Sequence, residues 1–279
     1  MRSPTGMPDT GITGVDSHAH VFERGLPLAS QPRHAPDYDA LASEYLGHLD
    51  RCGVSHGVLV QPSFLGTDNR YLLGALRRCP QRLRGVVVVE PSAGNADLEA
   101  LARDGVCGIR LNLIGLALPD VAGVEWQDLF ARVRALDWHV EVHCPSHDLA
   151  RVGQAVLDTG CKLVVDHFGR PEVTQGAADD GFGWLLRAAD CGRAWVKLAA
   201  AYRSWPDQSG KAACDAAQAL LHAFGAERLV WGSDWPHTQY RESVDYESAQ
   251  AALSAWVPRA ADRWQILVET PASLFQFLC

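Results

Sequence analysis

A single α/β domain of the (β/α)8 TIM barrel type is what this sequence predicts, on three observations. Eight short, valine-rich apolar runs recur along the chain, helix-patterned stretches separate them, and no linker rich in Ser, Pro or Gly breaks the alternation. Eight parallel strands close a barrel, and 279 residues is close to the usual size of one. The domain is expected to span 1–279, with a disordered tail over 1–11.

The candidate strands are, in order, 12–18 (ITGVDSH), 56–61 (HGVLVQ), 84–90 (RGVVVVE), 107–112 (CGIRLN), 138–144 (WHVEVHC), 162–168 (KLVVDHF), 194–200 (AWVKLAA) and 228–234 (RLVWGSD). Most are nearly continuously apolar, as strands buried on both faces of a parallel sheet tend to be. Amphipathic stretches between them include 39–53, 97–105, 126–137 and 214–225. In the first, Leu41, Tyr45 and Leu49 fall at i, i+4, i+8, one face of a helix. Gly53, Gly105 and Gly225 close such runs where a left-handed C-cap would sit. A doubly wound open sheet is the runner-up, and it lacks the GxGxxG opening that would favour it.

Bulk composition narrows the function. With 47% hydrophobic and 21% charged residues, the chain reads as a globular enzyme. A formal charge of -8 and the absence of any Lys/Arg-rich run argue against a nucleic-acid partner. No apolar run approaches the ~20 residues of a membrane span. The first 13 residues have no apolar stretch of the kind a signal peptide needs. Eight cysteines without a CxxC pair read as free thiols in a reducing compartment, so a cytoplasmic location is expected. A homodimer is left open.

In a barrel enzyme the chemistry sits at the C-terminal strand ends. There the sequence offers Asp16, His18 and His20 after strand one, then Gln61 and Ser63 after strand two. Strand four carries Arg110 and Asn112, and strand five ends in His143. Strand six ends in Asp166 and His167, strand seven leads into Tyr202 and Arg203, and strand eight into Ser233, Asp234 and His237. His18 and His20, two apart on an extended strand, should share one side, with Asp16 expected on the other. A lone His143 or His167 would ordinarily be a structural histidine. Four histidines and an aspartate together at strand ends are hard to explain by core packing, because buried ionisable groups are costly unless paired. His48, His56 and His222 read as structural or solvated, His237 as a residue of the pocket mouth, and Trp184, Trp195 and Trp205 as packing on the barrel wall.

With these residues in view, the chain resembles the amidohydrolase superfamily, whose pattern is HxH after strand one, His after strands five and six, and Asp after strand eight. DSHAHVF, LVQPSFLGTDN, GIRLN, DHFGRP, WVKLAAAYR and VWGSDWPH are similar to the branch of 2-pyrone-4,6-dicarboxylate lactonase and sugar-acid lactonases. The resemblance implies a hydrolase that opens an acidic lactone, with Asp234 as the general base activating water. It implies that His18, His20 and His167 polarise the scissile carbonyl or bind metal, and that Arg110, Arg203 and Ser63 hold substrate carboxylates or the lactone.

Three positions depart from the lactonase pattern. His143 stands where the branch has Tyr, Leu116 stands near a further branch Arg, and His34 replaces Tyr before Ala-Pro. The missing Arg argues against the pyrone dicarboxylate itself. His143 restores the strand-five histidine and so adds to substrate-binding and metal candidates, the metal set being His18, His20, His143 and Asp234. Either no metal is required or one divalent ion, Zn or Mn, is held; no binuclear site is expected, since strand four lacks a bridging Lys or Glu. The alternatives are a mononuclear metal-dependent amidohydrolase or decarboxylase, and a non-catalytic barrel that binds a metabolite.

One expectation concerns the barrel interior. His139, Glu141 and His143 alternate along strand five, so Glu141 should point inward below His143 and needs a partner. Lys197 on strand seven is the natural one, since alternate strands fill the same interior layers; Arg110 is the other candidate.

Overall fold

Eight parallel strands follow one another in chain order: β1 (Val15–Ala19), β2 (His56–Val60), β3 (Leu83–Val87), β4 (Val106–Asn112), β5 (His139–His143), β6 (Lys162–Val165), β7 (Ala194–Ala199) and β8 (Leu229–Gly232). Helices alternate with them: α1 (Ala42–Arg51), α2 (Arg70–Arg78), α3 (Asn95–Arg103), α4 (Val124–Ala135), α5 (Ser146–Asp158), α6 (Asp180–Ala188), α7 (Lys211–Phe224) and α8 (Tyr246–Trp256). Two short helices, α9 (Ala260–Trp264) and α10 (Thr270–Leu274), close the chain. This computed structural model describes residues 11–30, 32–172 and 179–278. The expected tail over 1–11 therefore lies, but for Gly11, outside the described residues. The fold is the expected (β/α)8 barrel. No helix among the described residues is long and apolar enough to cross a membrane.

The near-continuous apolar runs are explained by two-sided burial. Val58 and Val60 belong to the cluster inside the barrel, while Leu59 between them packs under the helices. The ring closes between β8 and β1 by one bridge. There His20 N donates to Trp235 O at 2.7 Å and Asp234 N to His18 O at 2.8 Å. Gly232 makes that approach possible, since a Cβ there would lie 2.6 Å from His18 Cβ.

Asp16 does leave the side of His18 and His20, although plain alternation would put all three together. The β1–β2 register shifts between Asp16 and Ala19, and a bulge of this kind reverses the facing of the residues beyond it. Asp16 turns outward and accepts from Ser233 N at 2.8 Å and Ser233 Oγ at 2.6 Å, which ties β1 to β8 beneath the site. Burial, only partly offset by the Ser233 bonds, raises its carboxyl to about 6.

The barrel interior has two storeys. The floor is apolar: Val15, Val58, Val86, Cys107, Val164 and Val230, closed from below by Phe275 after α10. Above it lies a charged layer of Arg110, Glu141, Asp166 and Lys197, all at most 4% exposed. Lys197 Nζ donates to Glu141 Oε2, as expected. Arg110 joins as well, with Nε 3.3 Å from Glu141 Oε1 and Nη2 donating to Asp166 Oδ2 at 2.8 Å. Two cations thus face two anions, the balance a buried set needs.

Six strands end earlier than expected: β2 and β5 by one residue, β3 by three, and β6, β7 and β8 by three, one and two. β6 stops at Val165, β7 at Ala199 and β8 at Gly232, where the chain enters turns with positive φ: His167 (50°), Phe168 (58°), Ala200 (51°) and Asp234 (61°). Left-handed backbone at non-glycine residues is strained and concentrates at functional sites. Trp184 packs against Gly153 on α5 and Trp205 against Phe168, as expected of the wall; Trp195 instead packs against the floor cluster. Seven described cysteines are free thiols.

Candidate active site

The left-handed turn after β8 brings Asp234 to the centre of the barrel mouth. Its Oδ2 is saturated: it accepts from Tyr202 Oη at 2.6 Å and Arg203 Nε at 2.8 Å, with Arg203 Nη2 2.7 Å away. Its Oδ1 is buried without a hydrogen-bond partner, 3.5 Å from His20 Nε2 and 3.7 Å from His18 Nε2. Burial would raise this carboxyl, but the Arg203 guanidinium beside it holds it well below the usual range. Asp234 is therefore an anion at neutral pH, with one free oxygen turned to the histidines.

The histidines gather around that oxygen. His18 lies ring-edge against His20 and His167, with centroids 4.9 and 4.8 Å apart, and His143 lies 4.8 Å from His167. Burial lowers His18 and His143 well below the ordinary imidazole value and His167 to about 3, so these three rings are neutral at pH 7. His237 Nδ1 sits 3.4 Å from Tyr202 Oη, behind the aspartate.

A cavity of about 260 Å³ opens above this cluster, lined by His20, Ser63, Arg110, His143, His167, Arg203 and Asp234 among others. All eight site residues expected from the sequence thus converge, His18 from just beneath. Their partners differ from expectation in two cases. Arg110 is already engaged with Asp166 and Glu141, and Arg203 with Asp234. Arg33 and Arg170 also line the cavity. Arg33, from the loop between β1 and α1, donates to Asn112 Oδ1 at 3.2 Å and Ser63 Oγ at 3.4 Å; Arg170 donates to Arg203 O at 2.9 Å. Neither has a carboxylate within ion-pair distance among the described residues. Four guanidinium groups against one carboxylate make a cationic pocket in a chain of formal charge -8, a contrast that draws anions to one place. Arg170 lies within the DHFGRP motif, which was its sequence signal; Arg33 had none. Leu116 is 49% exposed and does not line the cavity.

A metal ion would find nitrogen and oxygen donors here. His18, His20 and Asp234 offer ligand atoms within 4.8 Å of one another, and the orphaned His18 Nε2 and Asp234 Oδ1 fit such an ion. His143 is not brought into that group. A second group, His18, Asp166 and His167, shares His18; there Arg110 takes Asp166 Oδ2 and leaves Oδ1 without a hydrogen bond.

Comparison with known proteins agrees with this geometry. The chain is 30% identical to the 4-sulfomuconolactone hydrolase of Rhizobium radiobacter over 93% of its own length and 89% of the relative's. A Pseudomonas putida protein assigned as a 2-pyrone-4,6-dicarboxylic acid hydrolase superposes with a TM-score of 0.90 at 47% identity, covering 96% of this chain and 99% of that one. An Acinetobacter baumannii protein assigned the same activity, with citric acid bound, gives a TM-score of 0.90 at 35% identity over 94% of this chain and 99% of that one. The amidohydrolase family model matches residues 15–277, and with the HxH pair, the two further histidines and the aspartate at the mouth of an eight-stranded barrel, the chain belongs to the amidohydrolase family.

Proposed function

We propose that this chain hydrolyses a lactone bearing carboxylate groups, of the class that 2-pyrone-4,6-dicarboxylate represents. The observation that carries the reading is the free Oδ1 of buried Asp234, aimed at His18 and His20 on the floor of a pocket ringed by arginines. The names of the relatives, lactone hydrolases of acidic compounds, support the same class.

Each residue then has a task that its surroundings suit. Asp234 Oδ1 takes a proton from the attacking water and returns it to the leaving enolate or alkoxide. Oδ2 cannot share that work, because Tyr202 and Arg203 already fill it. A substrate carboxylate that draws Arg203 away would leave Asp234 more basic, which ties proton transfer to occupancy of the pocket. His18, His20, His167 and His143 surround the carbonyl, and a ring that turns an N–H toward it meets the charge that develops on its oxygen. Ser63 and the arginines orient the lactone and its carboxylates, in the two-point manner that a guanidinium allows. Arg110 acts from beneath, through Asp166 and Glu141, whereas Arg33 and Arg170 have charge to spare.

A divalent ion bound by His18, His20 and Asp234 would act as a Lewis acid on the carbonyl oxygen, and nitrogen and carboxylate donors suit Zn or Mn. That donor group is the observation favouring a second reading, a mononuclear metal-dependent amidohydrolase or decarboxylase. The test is a panel of acidic and neutral lactones, with and without chelator, read by acid release. Acidic lactones should turn over and neutral ones should not; turnover confined to neutral lactones would refute the reading. Metal content after purification should not exceed one ion per chain, and two bridged ions would contradict the donor set.

The arginines give a sharper expectation. Charge-assisted hydrogen bonds are worth ~1.5–3 kcal/mol, so Arg170→Met or Arg33→Met should lower kcat/KM for an acidic lactone by roughly 10–100-fold, mostly through KM. An unchanged KM in both variants would remove them from substrate binding.

A further inference from the structure

The site histidines differ in what stands behind each ring. Nδ1 of His20 is 2.7 Å from the carbonyl oxygen of Val60, and Nδ1 of His167 is 3.3 Å from that of Ala199. A carbonyl can only accept, so each of these rings carries a proton on Nδ1, and in the neutral ring Nε2 is then bare. Behind His18 and His143 stand cations instead. Lys197 Nζ is 3.1 Å from His18 Nδ1, and Arg110 Nη2 is 3.3 Å from His143 Nδ1. Ammonium and guanidinium groups have donors and no acceptor, so Nδ1 must accept in both and the proton moves to Nε2. Two carboxylate oxygens also lie near His18 Nδ1, Asp166 Oδ1 at 3.3 Å and Glu141 Oε1 at 3.5 Å, but neither is placed to accept a hydrogen bond from the ring. In both rings Nε2 is buried and unpartnered within the protein.

We infer that Lys197 and Arg110 are positioning residues that fix His18 and His143 as Nε2–H donors, while backbone carbonyls fix His20 and His167 as Nε2 acceptors. The site is thereby divided by function. His18 and His143 present N–H groups to a carbonyl oxygen. His20 Nε2 and Asp234 Oδ1, both acceptors and 3.5 Å apart, form the cradle for the two protons of one water. The Glu141–Lys197 pair, remote from any substrate, acts through His18. It also disfavours metal at His18, because an Nε2 that carries a proton has no lone pair to give. The assignment concerns the rings themselves and does not depend on which substrate is used.

The test is long-range 1H–15N correlation spectroscopy on full-length protein labelled at histidine, at pH 7 with chelator present. Expected are Nε2–H tautomers at His18 and His143, and Nδ1–H tautomers at His20 and His167. An Nδ1–H or doubly protonated ring at His18 or His143 overturns the inference, and this outcome needs no variant. Glu141→Gln/Lys197→Met, which removes the ion pair without leaving a lone charge, should move the His18 proton to Nδ1, toward Asp166, and leave His143 unchanged. The same double variant should bind Zn2+ at least tenfold more tightly than the parent chain, while Lys197→Arg, which keeps a donor, should do neither. A folded double variant with unchanged His18 tautomer or unchanged Zn2+ affinity overturns the role of Lys197. If the lactonase reading alone fails, the spectra are as described and no acidic lactone turns over.

Discussion

Asp234→Asn is expected to lower turnover by roughly a thousandfold or more, the upper range for loss of a positioned general base. The substitution keeps the shape of the side chain and an oxygen that can still accept from Tyr202 and Arg203. What it removes is the charge that makes Oδ1 able to take a proton. The amide that replaces Oδ1 presents a donor, 3.5 Å from His20 Nε2, where the carboxylate offers an acceptor to water. Binding should survive. Arg203, released from its anionic partner, adds charge to a pocket already lined by Arg33, Arg110 and Arg170, so an acidic ligand such as citrate should bind the variant at least as tightly. Calorimetric titration beside steady-state kinetics separates the two effects. Activity within tenfold of the parent would take Asp234 out of the mechanism.

The second large effect is on stability. Glu141→Ala should destabilise the chain by ~3–5 kcal/mol, the usual consequence of removing one member of a buried charge pair. The charged layer holds two cations, Arg110 and Lys197, against two anions, Glu141 and Asp166, all nearly inaccessible to water. Without Glu141 the layer carries an unbalanced positive charge directly under His18, and the vacated volume adds to the loss. Lys197→Met in the same chain restores the balance at one cation and one anion, and should recover part of the stability. Urea unfolding of the parent, both single variants and the double variant gives the coupling. Additive losses, with no recovery in the double variant, would show that the pair is not what holds this layer.

The barrel was legible because its strands are buried on both faces, which writes eight valine-rich runs into the sequence. The strand ends were less so. His167, Ala200 and Asp234 adopt left-handed backbone without the glycine that usually announces it, so the ends of β6, β7 and β8 read as one to three residues later than they are. Glu141 could be paired with Lys197 beforehand because alternation along one strand and the layering of alternate strands are local rules. Arg110, the other candidate, joins them from the paired position on β4, whereas Asp166 completes the network by side-chain reach from the end of β6, which no spacing encodes. The same holds for the pocket arginines. Arg110 and Arg203 sit at strand ends and were visible, yet both are spent on the protein's own carboxylates. Arg33 comes from a loop between β1 and α1, and only the folded chain brings it to Ser63 and Asn112. The bulge that turns Asp16 away from His18 is a property of how β1 meets β2 and β8, and a single strand's sequence does not contain it.

Hydrolysis in H2-18O shows whether Asp234 delivers water to a lactone carbonyl. The purified protein, treated with chelator, is incubated with 2-pyrone-4,6-dicarboxylate and a panel of acidic lactones, and the products are weighed by mass spectrometry. Ring-opened acid carrying one 18O in the new carboxylate is expected from the parent chain and none from Asp234→Asn. Release of CO2, isomerised lactone without 18O, or equal 18O incorporation by the Asp234→Asn variant would contradict it.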